Sequence, residues 1–473
     1  MSELYSPERR TALVLTGTGA DGAYHAGVLR ALHEAGIKID IVCGRGIGAV
    51  GALFVAVDGG SRLWDAKGLW LSPAVPNLYR WRWPLRVVFG LLAGVAAVLI
   101  SPLLFLALGL FVYLLGLLLG MAGLGSGAWL VGEYANLLVT AFAPAALPTW
   151  LPRLVALAVI LGIVVLAVGT LSERAARYRR RSRGSEAWSL LSAPVDASHA
   201  IQHFSTGVWD LLKGGASLKA PAAEDLSRRY SELLNENLAQ PGFTELLLVV
   251  HDLDARRDLI FGLVREPFRR ALFPPPGAAG ARRADAFDLA GLSRDHLVDV
   301  LRGALSVADV TEPALVRFAP DGYWRGEAHR VVDRAASLAR LLEEAAAAGA
   351  EQVILVSASP EPPGPHELGR PRLEPLARLS EHAASFESAA LRDAVEHVQH
   401  RFRAVYRIRP VHNPVAAFDL RGAFDERSDR QHSLGELLER GYHDAYHEFI
   451  EPVVAPSGEH LRSNQSVGGA SSA

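Results

Sequence analysis

Residues Leu15 to Leu53 read LTGTGADGAYHAGVLRALHEAGIKIDIVCGRGIGAVGAL. They continue a short apolar run, Thr11 to Thr16, that ends in glycines and reads as a buried parallel strand. Ala23 to Ala35 is helical, with Ala26, Leu29, Leu32 and Ala35 spaced for one face and Gly36 as the stop. A second strand, Ile39 to Cys43, enters the glycine turn Gly44 to Gly48 and runs into a small-residue helix, Ala49 to Val57. Strand, turn and helix twice in succession open a parallel α/β sheet.

Each turn bears chemistry. Gly17-Thr18-Gly19-Ala20-Asp21-Gly22 fits G-x-G-x-x-G and offers backbone N–H groups at a helix N-terminus, a place for a phosphate or an oxyanion. The nucleotide reading is opposed by Asp40, which stands at the start of the second strand, whereas a ribose acid belongs at its far end. Asp21 also puts a carboxylate where a pyrophosphate would lie. The second turn, Gly44-Arg45-Gly46-Ile47-Gly48, has the position of a nucleophile elbow, G-x-S-x-G, in which a strained turn lifts a serine oxygen above the sheet. Its flanking glycines remain, and its central residue is Gly46.

The chain of 473 residues is 50% hydrophobic and 21% charged, with a net charge of -2. That balance excludes nucleic-acid binding through bulk positive charge. One cysteine, Cys43, excludes an intrachain disulfide framework and a Cys-rich zinc site. No secretory signal is read in the polar start, Met1 to Arg10. The 86 residues from Val87 to Ser172 hold two formal charges, Glu133 and Arg153. Val87 to Gly132 alone is 46 uncharged residues, about 69 Å as a helix against about 30 Å of hydrocarbon. Breaks are expected at Pro102 and within Met121 to Gly127, and a second clean span over Leu154 to Leu171. Arg80, Arg82 and Arg86 precede the segment, with Trp81 and Trp83 between them, and Arg174, Arg177, Arg179, Arg180, Arg181 and Arg183 follow it. Both flanks read as cytoplasmic, which requires two or four spans.

Beyond the segment, Glu245 to Val250 and Asp258 to Val264 read as strands, Asp295 to Leu305 as a helix, and Ala314 to Phe318 as a strand. Ala328 to Ala348 reads as a long alanine-rich helix, Gln352 to Ser357 and Ala404 to Ile408 as strands, and Leu434 to Ile450 as the closing helix.

In this order the chain resembles the patatin-like phospholipases, lipid acyl hydrolases with a Ser–Asp dyad. The stretch from Leu15 to Leu53 follows the family's sequence of oxyanion loop, helix, strand, elbow and helix. ELLLVVHDLDARRDLIF, Glu245 to Phe261, is similar to the family's strand pair, and Val300 to Tyr323 leads to a DGY in place of D-G-G or D-G-A. GAEQVILVSASP, Gly349 to Pro360, and LGELLERGYHDA follow. The resemblance implies a patatin-like three-layer α/β/α domain with a mainly parallel sheet, interrupted by an α-helical transmembrane insert. The expected division is 11–83 and 184–456 for the two halves, 84–183 for the insert, and 457–473 for a disordered tail.

It further implies a family acid at Asp321, a nucleophile position at Gly46, an oxyanion loop of Gly17, Thr18, Gly19 and Gly22, and elbow glycines Gly44 and Gly48. Glycine has no atom that replaces the serine Oγ, Thr18 stands for a glycine, and Asp21 stands for a basic residue, where a carboxylate opposes a developing oxyanion. Thr16, Thr18, Cys43 and Ser61 are the nearby hydroxyls and thiol; Thr18 would sit in the oxyanion loop and Cys43 at the strand end before the elbow, so neither of these two is aimed where the serine would be. The expected protein is a multi-pass membrane protein with a cytoplasmic domain. It is read as a catalytically degenerate acyl hydrolase that binds membrane lipids or a protein partner, without cofactor or metal. The alternatives are an active phospholipase with a displaced nucleophile and a nucleotide-binding membrane protein using the Gly17 loop.

Overall fold

The computed structural model describes residues 4–123, 125–141, 143, 147–176, 193–238, 240–274, 285–360, 374–425 and 427–455. It divides into two compact units, Met1–Arg80 with Val195–Ala473, and Trp81–Pro194. The expected tail, 457–473, lies outside the described residues.

The α/β unit opens with β1 (Thr11–Gly17), α1 (Asp21–Glu34), β2 (Ile41–Gly46) and α2 (Gly48–Val55). The other unit contributes α3 (Trp83–Met121), α4 (Ser126–Ala141) and α5 (Leu147–Ala176). The α/β unit resumes with α6 (Ser198–Lys213), α7 (Ala223–Asn237), β3 (Glu245–Asp252), β4 (Arg257–Leu263), β5 (Ala286–Asp288) and α8 (Leu297–Leu305). It ends with β6 (Ala314–Arg317), β7 (Ala328–Val332), α9 (Ser337–Ala347), β8 (Gln352–Ser357), α10 (Pro375–Val398), β9 (Ala404–Ile408) and α11 (Leu434–Ala445).

Among the described residues the main sheet has nine strands along the path β9-β8-β1-β2-β3-β4-β5, with β7 joining β3 and β6 joining β7. The run from β9 to β3 is parallel, whereas β4 and β7 are antiparallel to β3. β1 shows why the unit has three layers. All seven of its residues are buried, and successive side chains point to opposite faces. Leu13 and Leu15 join the core that includes Val28 and Leu29 of α1 and Leu434 and Leu438 of α11. Ala12 and Val14 join the core that includes Leu338 and Leu341 of α9 and Leu391 of α10. Such a leucine contributes about 1.5–3 kcal/mol by burial. Because β1 lies between β2 and β8, the chain reverses its strand order there, and the crevice of an open parallel sheet lies at the carboxyl ends of such strands.

The expected helix over Ala328 to Ala348 is instead a strand, β7, followed by α9. Val331 and Val332 are buried in the sheet. β7 pairs through His251↔Val332 and Asp252↔Val331 with the end of β3. The opposite edge of β3 is occupied by β4 along its length, so β7 lies on the β2 side, just past the end of β2. The turn after β7 is thereby carried to the tip of β2.

In the other unit, three stretches are long and apolar enough to cross a membrane: Trp83–Ser101, Leu103–Met121 and Pro152–Gly169. The first two lie in one helix, α3, because Pro102 does not break it. Proline lacks the N–H that would bond the carbonyl four residues back, and Ser101 Oγ donates to that carbonyl, Val98 O, at 2.7 Å. The expected glycine break does occur, at Gly123 with φ +75°. Leu103, Phe111 and Leu157 are each more than 60% exposed, so these helices present apolar surface all round. α4 returns against α3. Tyr134 donates its hydroxyl proton to Phe105 O, and a Cβ at Gly127 would overlap the Gly116 carbonyl oxygen. Gly127→Leu is therefore expected to pry α4 from α3 and lower the Tm of this unit by several degrees in detergent, whereas Gly132→Leu, with open space around it, leaves it unchanged.

Candidate functional site

β1 and β2 lie side by side in the register Thr16↔Arg45 and Gly17↔Gly46, so two loops meet at the sheet's carboxyl edge. Gly46 has φ +57°, the left-handed conformation that glycine adopts without strain. A Cβ at this position would overlap the Gly17 carbonyl oxygen and lie 2.7 Å from Asp333 Oδ2. The Ile47 N–H donates to that same Gly17 carbonyl at 3.0 Å. The space into which an elbow residue would project is thus bounded by a backbone oxygen and by a carboxylate delivered from the end of β7.

Arg45 fills the adjoining ground. It is fully buried and its guanidinium is committed on every side. Nε donates to Thr16 Oγ1 at 2.9 Å, and one terminal nitrogen donates to both Asp333 oxygens at 3.0 and 3.1 Å. The other terminal nitrogen bonds Glu387 Oε1, which α10 brings in. Thr18 Oγ1 also donates to Glu387 Oε1, at 3.1 Å. Charge-assisted bonds of this kind are the strong ones, yet Asp333, Glu387 and nearby Asp21 outnumber the single guanidinium. Burial pushes the Asp333 carboxyl up to about 7; Arg45 pulls it down and the Glu387 charge pushes it up again. Burial also raises Asp21 to about 7, against the backbone N–H of Thr18. Burial alone would lower Arg45, but the charges of Asp333 and Glu387 raise it overall and hold it protonated.

The glycine loop is closed on itself. The Thr18 N–H donates to Asp21 Oδ2 at 2.8 Å, and the Ala20 N–H donates to Ala417 O at 2.8 Å. Gly19, at φ +58°, lies so close that a Cβ there would overlap the same Ala417 oxygen. The Gly22 N–H is taken by Gly19 O at 3.4 Å. An N–H that such a loop offers to an anionic ligand is here bonded to the protein's own carboxylate. Behind the loop, His25 Nε2 lies 3.2 Å from Thr16 O. Burial lowers its imidazole to about 4, so the ring is neutral at pH 7.

Gly17, Thr18, Gly19 and Gly22 lie at the junction of β1 and α1, and Gly44, Gly46 and Gly48 at the junction of β2 and α2. A Cβ at Gly48 would overlap Leu15 O, and one at Gly44 would lie 2.5 Å from Ala49 Cα, which lets strand and helix close up. Asp321 is not brought to this place. It is exposed in the turn between β6 and β7, and the carboxylate beside Gly46 belongs to Asp333. The physical reason is the strand pairing described above: the end of β7, not the turn before it, abuts β2. Among the other hydroxyls and thiol, Thr16 Oγ1 accepts from Arg45, Ser61 opens a short helix on the surface, and Cys43 faces the opposite core, where burial pushes its thiol up. The cluster residues missed by the sequence reading are Arg45, Asp333 and Glu387. The first two carry a signal, a cation inside a G-x-x-x-G elbow and an aspartate ending a Val-Val pair.

A mainly parallel α/β/α sandwich with a glycine loop after its first strand and a positive-φ turn at the end of its second is consistent with a patatin-like α/β/α domain. Residues 13–198 match the family model described as patatin-like phospholipase. Patatin-like phospholipase domain-containing protein 6 of Homo sapiens is 52% identical over 52 residues, 11% of this chain and 4% of that protein. Lysophospholipase nte1 of Aspergillus fumigatus is 53% identical over 47 residues, 10% of this chain and 3% of that protein. Triacylglycerol lipase ptl3 of Schizosaccharomyces pombe is 49% identical over 47 residues, 10% of each chain. The chain spans a tenth or less of the length of these curated relatives. The crystal structure of VipD from Legionella pneumophila aligns over 96% of this chain and 70% of that one, at 12% identity and a TM-score of 0.29.

Proposed function

We propose that this chain is a membrane-anchored, patatin-like protein of lipid metabolism whose hydrolytic site has become a buried ion-pair cluster, and which acts by binding lipid or a protein partner. The observation that carries this reading is Gly46, which has no side chain, beside an Asp333 whose two oxygens are held by Arg45. Acyl transfer on this fold needs three things: an oxygen to attack the ester carbonyl, a carboxylate to take its proton, and N–H groups aimed at the oxyanion. The first has no atom here. Asp333, which stands at the acid position in place of Asp321, has its oxygens engaged by a cation. The Thr18 N–H is satisfied by Asp21. Lipid remains the class of ligand, from the family and from the apolar helices α3 and α5. Each of these crosses the bilayer once in this reading, so that both arginine-rich flanks stay on the cytoplasmic side.

The test is a fluorophosphonate serine-hydrolase probe applied to the full chain in nanodiscs, with release of fatty acid from lysophospholipid measured in parallel. No labelled serine or threonine and no fatty-acid release above a buffer blank is the expected result. A labelled residue within β1 to α2, lost on replacement of Asp333, overturns it.

A further inference from the structure

A cavity of about 380 Å³ opens beside β5, at the end of the sheet opposite β9, on ground that the Gly46 site does not use. That volume falls within the about 300–1,000 Å³ of small-ligand sites. Three stretches line it: the short helix Phe268–Leu272 with its flanking residues, β5 with the loop to Ser293, and the turn between β6 and β7. Its walls are largely apolar, from Phe273, Pro274, Phe287, Leu292, Phe318 and Tyr323. Phe287 stacks between Phe261 and Phe318, with ring centroids 4.8 and 5.0 Å apart and interplanar angles of 18°, which fixes that wall. The loop after β5 is fixed as well. Asp288 O accepts the N–H groups of Gly291 and Ser293 at 3.1 and 3.3 Å, and Asp288 Oδ1 accepts that of Ala290 at 2.9 Å. A cavity held in this way is formed before a ligand arrives, so little ordering cost is left for binding.

The charges of the lining are matched. Arg269 donates from Nε and a terminal nitrogen to Asp288 Oδ2 at 3.0 and 2.8 Å, and Arg270 lies 3.4 Å from Glu266. One polar group is left over. Ser293 is 7% exposed and lines the cavity, and among the described residues its hydroxyl has no hydrogen-bond partner. Buried hydroxyls are nearly always bonded, and this one can donate to an oxygen placed in the cavity. We infer that the cavity binds the acyl chain of an uncharged single-chain lipid ester, whose carbonyl oxygen accepts the Ser293 proton. The aromatic and aliphatic walls take the chain out of water. A ligand carboxylate at the depth of Ser293 would lose its hydration without gaining an unpaired cation, which selects against anions. The volume, near the lower end of the range, suits one chain better than two. The choice of lipid among apolar ligands rests on the ligand class proposed above; the cavity and its unpartnered hydroxyl do not.

The experiment uses the full chain in phosphatidylcholine nanodiscs and a monoacylglycerol that carries a diazirine on its chain. After irradiation, labelled peptides are located by mass spectrometry. Label is expected within 286–293 and 318–323. Unlabelled monooleoylglycerol is expected to displace it, whereas oleate, with the same chain and a charge, is expected to need at least about tenfold more. Ser293→Ala is expected to lower labelling there about two- to tenfold, the effect of losing one hydrogen bond. Leu292→Arg, which sets a charge at a half-exposed lining position, is expected to lower it at least about tenfold. Leu218→Arg, the same change at an exposed position outside the lining, is expected to label as the parent does. Equal displacement by oleate overturns the inference, and so does unchanged labelling in either lining variant or an equal loss in Leu218→Arg. Label confined to 11–55 overturns it while leaving lipid binding in place, and no label anywhere in the α/β unit overturns both. Leu292 is exposed enough for its variant to read out even if Ser293→Ala disturbs the loop.

Discussion

Replacing Arg45 by glutamine is expected to destabilise the α/β unit by about 3–5 kcal/mol, the usual cost of removing one partner from a buried ionic network. The side chain is wholly inside and neutralises carboxylates from three separated parts of the chain, Asp21, Asp333 and Glu387. Without it those groups have only hydroxyls and backbone N–H donors. The loss carries a pH signature. Asp21 and Asp333 have folded-state values of about 7 against 3.8 when free. Between these limits the folded chain holds protons that the unfolded chain has released, so their contribution to stability falls as pH rises from about 4 to about 7. In the parent, the unit is thus expected to melt higher at pH 5.5 than at pH 7.5. In Arg45→Gln the same carboxylates lose their cation and their values climb further. The gap between variant and parent then widens between pH 7 and pH 9. Chemical denaturation at pH 5.5, 7.5 and 9 measures it. A loss below about 1 kcal/mol, or a gap that ignores pH, would show that the cluster does not hold the fold together. Arg45→Gln combined with Asp333→Asn and Glu387→Gln is expected to recover part of the loss, because a neutral network leaves no buried charge alone.

Gly46→Ser is expected to leave the protein unlabelled by fluorophosphonate while costing about 1–3 kcal/mol of stability, although it restores the elbow's serine by name. Two obstacles are geometric. A Cβ at 46 overlaps the Gly17 carbonyl oxygen, and 2.7 Å separates it from Asp333 Oδ2. A third is competition: even with room made, both Asp333 oxygens are held by Arg45 and are not free to take the hydroxyl proton. Paired with Arg45→Ala, which frees that carboxylate, the serine is expected to label at a slow but measurable rate. Rapid labelling of Gly46→Ser alone would falsify the picture of a sealed site and show that a cavity persists there. Labelling is read as intact mass after reaction, with melting temperature recorded alongside, so that misfolding is not mistaken for silence.

Much of the fold was legible in sequence because its decisive elements are local. The run Thr11 to Thr16, the glycines at 17 to 22 and the small-residue helix after Gly48 each state their own conformation, and β1, α1, β2 and α2 follow from them. The site was half legible for the same reason. Its loops could be read, and Gly46 could be read as a missing nucleophile. Asp333 was obscured because Val331-Val332-Asp333 runs directly into an alanine-rich segment, where helix propensity outweighs two β-branched residues; only pairing with β3, decided by tertiary contact, makes them a strand. Asp321 carried the more visible Asp-Gly signal, which here is turn chemistry. Glu387 has no local signal. It lies 342 residues from Arg45 in sequence, on a helix whose pattern marks a buried stripe without saying which end of the sheet it will cover.

The repair at Pro102 reaches beyond the helix it preserves. With Ser101 supplying the bond that proline cannot, α3 continues for 39 residues, about 58 Å, almost twice the thickness of a bilayer's hydrocarbon. A rod of that length cannot stand upright in a flat membrane with its apolar side chains covered. Where α3 crosses a bilayer once, as proposed above, the mismatch has to be met by steep tilt or by thickening of the surrounding lipid, so membranes of different thickness would hold the chain at different energetic cost. On that proposal one hydroxyl, placed to replace one missing amide proton, would make the chain sensitive to how thick its membrane is.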